Sequence, residues 1–287
     1  MTSKIVGVIG GSGLYDIDGL EDVEEHVVET PFGSPSAPIV AGTLGDTRML
    51  FIPRHGRGHT LTPSEVPYRA NIWALKSLGA RWCISVSAVG SLKEEIVPGH
   101  VVIIDQFIDR TKGRASTFFG DGIVGHVAFG DPVSPVFARV LMDAADAAGA
   151  TVHKGGTYVC MEGPAFSTRA ESNLYRSWGA SVIGMTNLPE AKLAREAEIA
   201  YATLALATDY DCWHEGHDDV SVVAVLETVR KNVAMARRII VEAAARTPDE
   251  LDPLVDGASQ FAVMTRPELI PRHRLDALAP IIGKYFD

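Results

Sequence analysis

Cysteine, long apolar runs and net positive charge are all scarce in this 287-residue chain, and each scarcity excludes something. Cys83, Cys160 and Cys212 are odd in number, far apart and without metal-ligand spacing, so reduced thiols are expected rather than a disulfide framework or a zinc site. No apolar run reaches membrane-spanning length, and Met1-Thr2-Ser3-Lys4 passes directly into a short strand without a leader's apolar core, which predicts a soluble, cytoplasmic protein. Lys and Arg number 26 against 36 Asp and Glu, a net charge of −10. That acidic balance argues against a nucleic-acid surface, because backbone recognition needs a basic field. Any anionic ligand must be held by a local cluster. Neither an internal repeat nor a low-complexity linker divides the chain, and its length is compatible with one α/β domain.

What the chain does have is alternation. Strand-like runs at Ile5–Ile9, Pro38–Thr43, Thr47–Pro53, Trp82–Ser91, Val101–Ile104, Thr157–Met161, Ser181–Asn187 and Ile199–Ala207 are interleaved with helical patterns. The helices are expected over Tyr68–Leu78, from the Ser134-Pro135 cap to Gly149, from Pro189 through Ala197, and over Val222–Ala245. Such an order predicts a single three-layer α/β/α domain with a central parallel or mixed sheet. The stretch 111–131 is weakly patterned and reads as a lid or interface loop. The apolar run Gln260–Met264 calls for a partner surface, and residues 265–287 form a tail beyond the core.

The most informative stretch is Ala205-Leu206-Ala207-Thr208-Asp209-Tyr210-Asp211-Cys212-Trp213, where a strand apolar on both faces runs into two carboxylates one residue apart. In open parallel sheets, ligands bind beyond the carboxyl ends of strands, so Asp209 and Asp211 are placed to face a flat polar ligand; a solvated turn or helix cap is the plain alternative. Gly10-Gly11-Ser12-Gly13 after the first strand suits either a phosphate loop or a structural turn, and it matches neither the dinucleotide fingerprint nor a P-loop. Arg54-His55-Gly56-Arg57-Gly58-His59 is the densest cationic patch. There a guanidinium fork and an imidazole could grip an anion, unless the loop is merely basic and solvated. Small residues around Ser87 and Ala88 leave room for a ligand, and Phe166 could stack on a ring or pack in the core.

Four blocks carry a resemblance: Ile9-Gly10-Gly11-Ser12-Gly13-Leu14, Pro53-Arg54-His55-Gly56-Arg57, Glu162 to Glu171, and Ala207 to Trp213. In order along the chain, from about Ile5 to Met264, they resemble the S-methyl-5′-thioadenosine phosphorylases, a branch of the trimeric purine nucleoside phosphorylase family. The resemblance implies the nucleoside phosphorylase fold and phosphate-dependent cleavage of a purine nucleoside in purine and methionine salvage. Phosphate is a co-substrate, and no metal or organic cofactor is implied. By motif match, Ser12, Arg54, His55, Ser87, Ala88 and Thr186 bind phosphate, Met185 contacts the ribose, and Phe166, Asp209 and Asp211 meet the base. Asp209 is the expected proton donor to N7, with Asp211 supporting it.

Ser167 and Val222 match specificity positions, and His126 and Met264 match residues that reach a neighbouring subunit's pocket in a homotrimer. A carboxylate at Asp209 suits an exocyclic amine and repels a 6-oxo group, while an apolar Val222 suits a methylthio substituent. Asn187, where animal members often carry threonine, and the chain's own loop 111–131 leave the breadth of 5′ substituents open. A broader phosphorylase acting on adenosine, inosine, guanosine or methylthioinosine, and a nucleoside-binding module without turnover, are the alternatives.

Overall fold

In a computed structural model, residues 4–11, 13–214 and 222–286 are described, with side chains from residue 228 onward in the last of these segments. Ser12 lies outside the described residues. Val222 is the first residue of a helix, but its side chain lies outside them too.

The strands are β1 (Lys4–Gly10), β2 (Glu21–His26), β3 (Ile39–Leu44), β4 (Thr47–Pro53), β5 (Trp82–Ser91), β6 (Val101–Ile103), β7 (Gln106–Arg110), β8 (Val152–Lys154), β9 (Thr157–Met161), β10 (Val182–Gly184) and β11 (Ala200–Asp209). The helices are α1 (Tyr68–Ser77), α2 (Pro135–Ala147), α3 (Arg169–Ser177), α4 (Asn187–Glu196), α5 (Val222–Arg246), α6 (Arg272–Ala277) and α7 (Ala279–Ile282). All these strands join one sheet, ordered β2-β3-β4-β1-β5-β10-β9-β7, with β11 branching from β5 and leading to β6 and β8. Pairing is parallel for β1 with β4 and β5 and for β5 with β11, and antiparallel for β3 with β4, β5 with β10 and β6 with β11. The expected single α/β domain with a mixed sheet and flanking helices is therefore what forms.

Burial explains the sequence pattern. β11 is buried from Ala200 through Thr208 because it lies between β5 and β6 and beneath α2, α4 and α5. Its Leu204 and Leu206 each contribute roughly 1.5–3 kcal/mol by leaving water. The strand does not stop at Ala207: it continues to Asp209 with a register shift, so that Asp209 faces Gly90. A bulge of this kind re-aims the side chain that follows it.

Trp82 is fully buried against Phe137, their ring centroids 5.1 Å apart. Trp73 on α1 is only partly buried, and its Nε1 donates to the Ala277 carbonyl at 2.9 Å. Residues past 264 pack back on the core: Ile270, Leu278, Ile281 and Ile282 are buried, and Lys284 pairs with Glu198 at 2.6 Å.

Elements absent from the sequence reading are β2, β7, β8, α3, α6 and α7, the last two lying in the stretch read as a tail. β2 is exposed and acidic, so no apolar alternation marks it. α3 follows Thr168, which forms a capping box with Glu171, a signal that the sequence did carry. The run Gln260–Met264 is held by the loop 124–126, with His126 N–H donating to the Ala262 carbonyl at 2.9 Å and Met264 N–H to the Val124 carbonyl at 2.8 Å.

Ser134 caps α2 as expected: its Oγ accepts from Phe137 N–H at 3.0 Å and donates to Asp252 Oδ2 at 2.5 Å, all of it buried. Ser134→Ala removes the cap and leaves the Asp252 carboxylate short of a donor, and it is expected to lower unfolding free energy by about 1–3 kcal/mol. A urea denaturation midpoint unchanged from the parent would contradict this.

Candidate active site

β4, β1, β5 and β11 lie side by side and all three contacts between them are parallel, so their carboxyl ends share one edge. The strand bearing Arg54 and the one bearing Asp209 are three spacings apart, roughly 14 Å. β5 runs between the two. In its buried run Ala88 is exposed, which marks where the sheet opens to solvent.

Arg54, next after β4, donates its backbone N–H to the Gly10 carbonyl at 2.8 Å. Its side chain is buried, and its fork does not point at open space. Nε and Nη2 bind Glu190 at 2.8 and 3.0 Å, Nη1 binds the Val86 carbonyl at 2.9 Å, and Nη2 also reaches the Ile9 carbonyl at 3.2 Å and Ser85 Oγ at 2.7 Å. One Nη1–H of the guanidinium is left over. Burial alone would loosen the proton on Arg54, but Glu190 beside it more than reverses this and holds it cationic. Glu190 also accepts from Ser85 Oγ at 2.6 Å and Tyr201 Oη at 2.9 Å, while Asn187 Nδ2 donates to both hydroxyls.

His55 stacks on His59, and its Nδ1 lies 2.8 Å from the Leu61 carbonyl. A carbonyl only accepts, so Nδ1 carries the hydrogen and Nε2 offers a lone pair. Burial, with the Arg54 charge adding to it, pushes the ring's pKa down to about 4, so it is neutral near pH 7. The sequence reading cast this imidazole as a donor to an anion; in this tautomer Nε2 is an acceptor.

Buried Ser87 has its Oγ 3.2 Å from Tyr158 Oη. Thr186 occupies the N-cap position of α4, yet its hydroxyl makes no cap bond.

At the other end, Asp209 accepts from Thr208 Oγ1 at 2.7 Å and from Asp211 N–H at 2.8 Å. Burial raises its pKa, with those two bonds opposing. Asp211 is raised by burial too, and the Asp209 charge adds to the shift. Its Oδ2 is buried without a partner among the described residues, and its backbone sits at φ 53°. Both acids crowd Gly90, where a Cβ would lie 3.1 Å from Asp209 Oδ1 and 3.3 Å from Asp211 Cβ.

The loop 162–168 closes this side. Phe166 is 56% exposed rather than in the core, Ser167 accepts from Cys212 Sγ at 3.3 Å through its carbonyl, and Gly163 at φ 71° leaves a Cβ's place only 2.5 Å from Met185 Sδ. Asp209, Asp211, Phe166, Ser167, Met185, Thr186, Ser87, Ala88, Arg54 and His55 thus fall along one sheet edge. His126 and Met264 instead adjoin each other across the 124–126 and 262–264 pairing, both exposed.

A profile of the Phosphorylase superfamily matches residues 5–245. The chain belongs to that superfamily. Among relatives, the S-methyl-5′-thioadenosine phosphorylase of Geobacter sulfurreducens is 61% identical over 98% of this chain and 99% of its own length. That of Synechocystis is 53% identical over 100% and 89%. Among solved structures, a methylthioadenosine phosphorylase from an antarctic soil metagenomic library superposes with TM-score 0.93 at 49% identity, covering 98% of this chain and 99% of the other. The Schistosoma mansoni methylthioadenosine phosphorylase in complex with adenine superposes with TM-score 0.84 at 39% identity over 90% and 99%.

Within this superfamily fold, the residues that sequence reasoning missed are Glu190, Ser85, Tyr201 and Tyr158, which hold the others from below. Glu190 in a buried helix after Pro189 was the available signal, since a buried acid needs a partner. Glu190→Ala would strand the Arg54 charge and is expected to cost about 3–5 kcal/mol in urea unfolding. A loss below about 1 kcal/mol would show that the pair does not hold this edge together.

Proposed function

We propose that this chain cleaves S-methyl-5′-thioadenosine with phosphate, giving adenine and 5-methylthio-α-D-ribose 1-phosphate, in purine and methionine salvage; the namesake relatives at up to 61% identity support it. What carries it structurally is the placement of the half-buried Asp209 and the buried Asp211 opposite Gly90 of the same strand whose Val86 carbonyl is bound by Arg54.

A phosphate oxygen attacks the anomeric carbon as the bond from that carbon to the purine nitrogen breaks. The bonding pair leaves with the base, and a proton from Asp209 to N7 quenches the developing negative charge. The raised pKa of Asp209 suits it to hold that proton. Asp211 shapes the same pocket and faces the exocyclic amine.

Phosphate sits with Ser12, Arg54, His55, Ser87, Ala88 and Thr186. With Nδ1–H committed to Leu61, His55 accepts the P–OH hydrogen of hydrogen phosphate on Nε2. Met185 lies against the ribose, Phe166 stacks on the purine, and Ser167 with Val222 bounds the 5′ substituent. No cofactor is required, because the co-substrate supplies the nucleophile. Three free cysteines fit a reducing, cytoplasmic setting.

The exposed His126 and Met264, with Phe261 85% exposed beside them, form the surface through which each subunit completes a neighbour's pocket in a homotrimer. Light scattering is expected to give about three times the 30.8 kDa chain mass, and Phe261→Asp to lower mass and turnover together. A monomeric, fully active parent would remove this part of the assignment.

The direct assay is phosphate-dependent adenine release from methylthioadenosine, with adenosine slower and inosine slower still. Asp209→Asn is expected to lower kcat by about 10²–10⁴-fold. The active form of Asp209 is protonated, so turnover of the parent falls as pH rises through its raised pKa. Asp209→Asn should lack that alkaline limb; a variant profile that overlays the parent's would refute the role.

A further inference from the structure

The loop 111–131 contributes a side chain that neither the chemistry above nor the relatives' names assign. Arg114 has only 2% of its side chain exposed, and it leaves its own loop to reach main-chain atoms of two others. Nη1 donates to the Met185 carbonyl at 2.6 Å and the Leu188 carbonyl at 2.9 Å. Nη2 donates to the Glu162 carbonyl at 2.6 Å and Ser64 Oγ at 3.4 Å. Nε lies 3.5 Å from the Glu162 carboxylate, and Tyr68 Oη is 3.3 Å from Nη1. Three carbonyl oxygens converge on one buried point, an arrangement that repels itself unless a multi-donor cation fills it.

The carbonyls belong to the two segments that meet opposite ends of the substrate. Glu162 opens the loop that presents Phe166 and Ser167, while Met185 and Leu188 bracket Thr186 and Asn187 at the start of α4. The segments touch where Gly163 approaches Met185 Sδ. Glu162 is itself tied down, accepting from Ser64 Oγ and from Lys112 N–H at 2.5 Å.

We propose that Arg114 is a positioning residue for both substrates, one guanidinium setting the nucleoside loop 162–168 and the phosphate and ribose turn 185–188 relative to each other. This rests on the assignment of those segments under the proposed function. A lysine cannot replace it: an ammonium has three donors on a single atom and cannot serve carbonyls gripped by two separate nitrogens.

Arg114→Lys, which keeps the charge, and Arg114→Gly are compared with the parent. For Arg114→Lys, kcat/KM is expected to fall at least tenfold against phosphate and against methylthioadenosine alike, with both KM values raised and the melting temperature nearly kept. Added methylguanidinium should restore part of the activity of Arg114→Gly and none of that of Arg114→Lys. Amide exchange in residues 162–167 and 185–188 should quicken together in both variants, a readout that needs no turnover. Parent-like kcat/KM in Arg114→Lys, a change confined to one substrate, or unaltered exchange in either segment overturns the proposal. A parent inactive on every nucleoside would instead sink the substrate assignment and leave amide exchange to decide whether the clamp exists.

Discussion

The buried ion pair of Arg54 with Glu190 is the constraint on which this sheet edge depends. Arg54 follows β4, Glu190 lies in α4, and the same carboxylate takes hydrogen bonds from Ser85 in β5 and Tyr201 in β11. Two charges withdrawn from water cost several kcal/mol each, which the mutual attraction offsets only with near-complete hydrogen bonding. That condition is nearly met here, the exceptions among these groups being one Nη1–H of Arg54 and Asn187 Oδ1, which has no partner among the described residues. Apolar side chains of equal volume would join the same elements at less cost, but would tolerate sliding. Directional bonds to Ile9, Ser85 and Val86 tolerate one register of β1 against β5.

This explains how far the sequence could be read. Strands buried on both faces announce themselves by composition, so β1, β4, β5 and β11 were legible, and with them the edge where Arg54, Ser87 and Asp209 gather. Ser134 and Pro135 marked a helix start because capping is local chemistry. What stayed hidden was relational. Arg54 reads as a fork for a ligand until Glu190, 136 residues away, is seen to occupy it. His55 reads as a donor until the Leu61 carbonyl fixes its tautomer. β2 escaped because an acidic edge strand carries no apolar period, and α3 because only its capping box, not its composition, distinguishes it from loop.

Proton states along the edge share one cause. Burial disfavours charge, so it keeps the His55 ring neutral and pushes the Asp209 and Asp211 carboxyls toward their protonated forms. The imidazole becomes an acceptor, and the acids are moved toward the form that can donate, each against its habit at the surface. Under the proposed function, this edge would therefore offer a hydrogen-bond acceptor at its His55 end and a proton at its Asp209 end.

The same logic resolves how an acidic protein handles an anion. An unpaired arginine would bind ground-state phosphate and transition state alike, which strengthens binding without speeding the bond-breaking step. If phosphate binds at this edge as proposed, Glu190 cancels most of the Arg54 charge, and the donors left to meet the anion are chiefly neutral ones such as the Ser87 and Thr186 hydroxyls. In that arrangement the phosphate's own negative charge would be left less neutralised and would face the sugar, where positive charge develops only as the glycosidic bond opens. On that reading Glu190 would shift electrostatic stabilisation from the resting complex toward the transition state, so the pair that fixes the sheet register would also keep the nucleophile reactive.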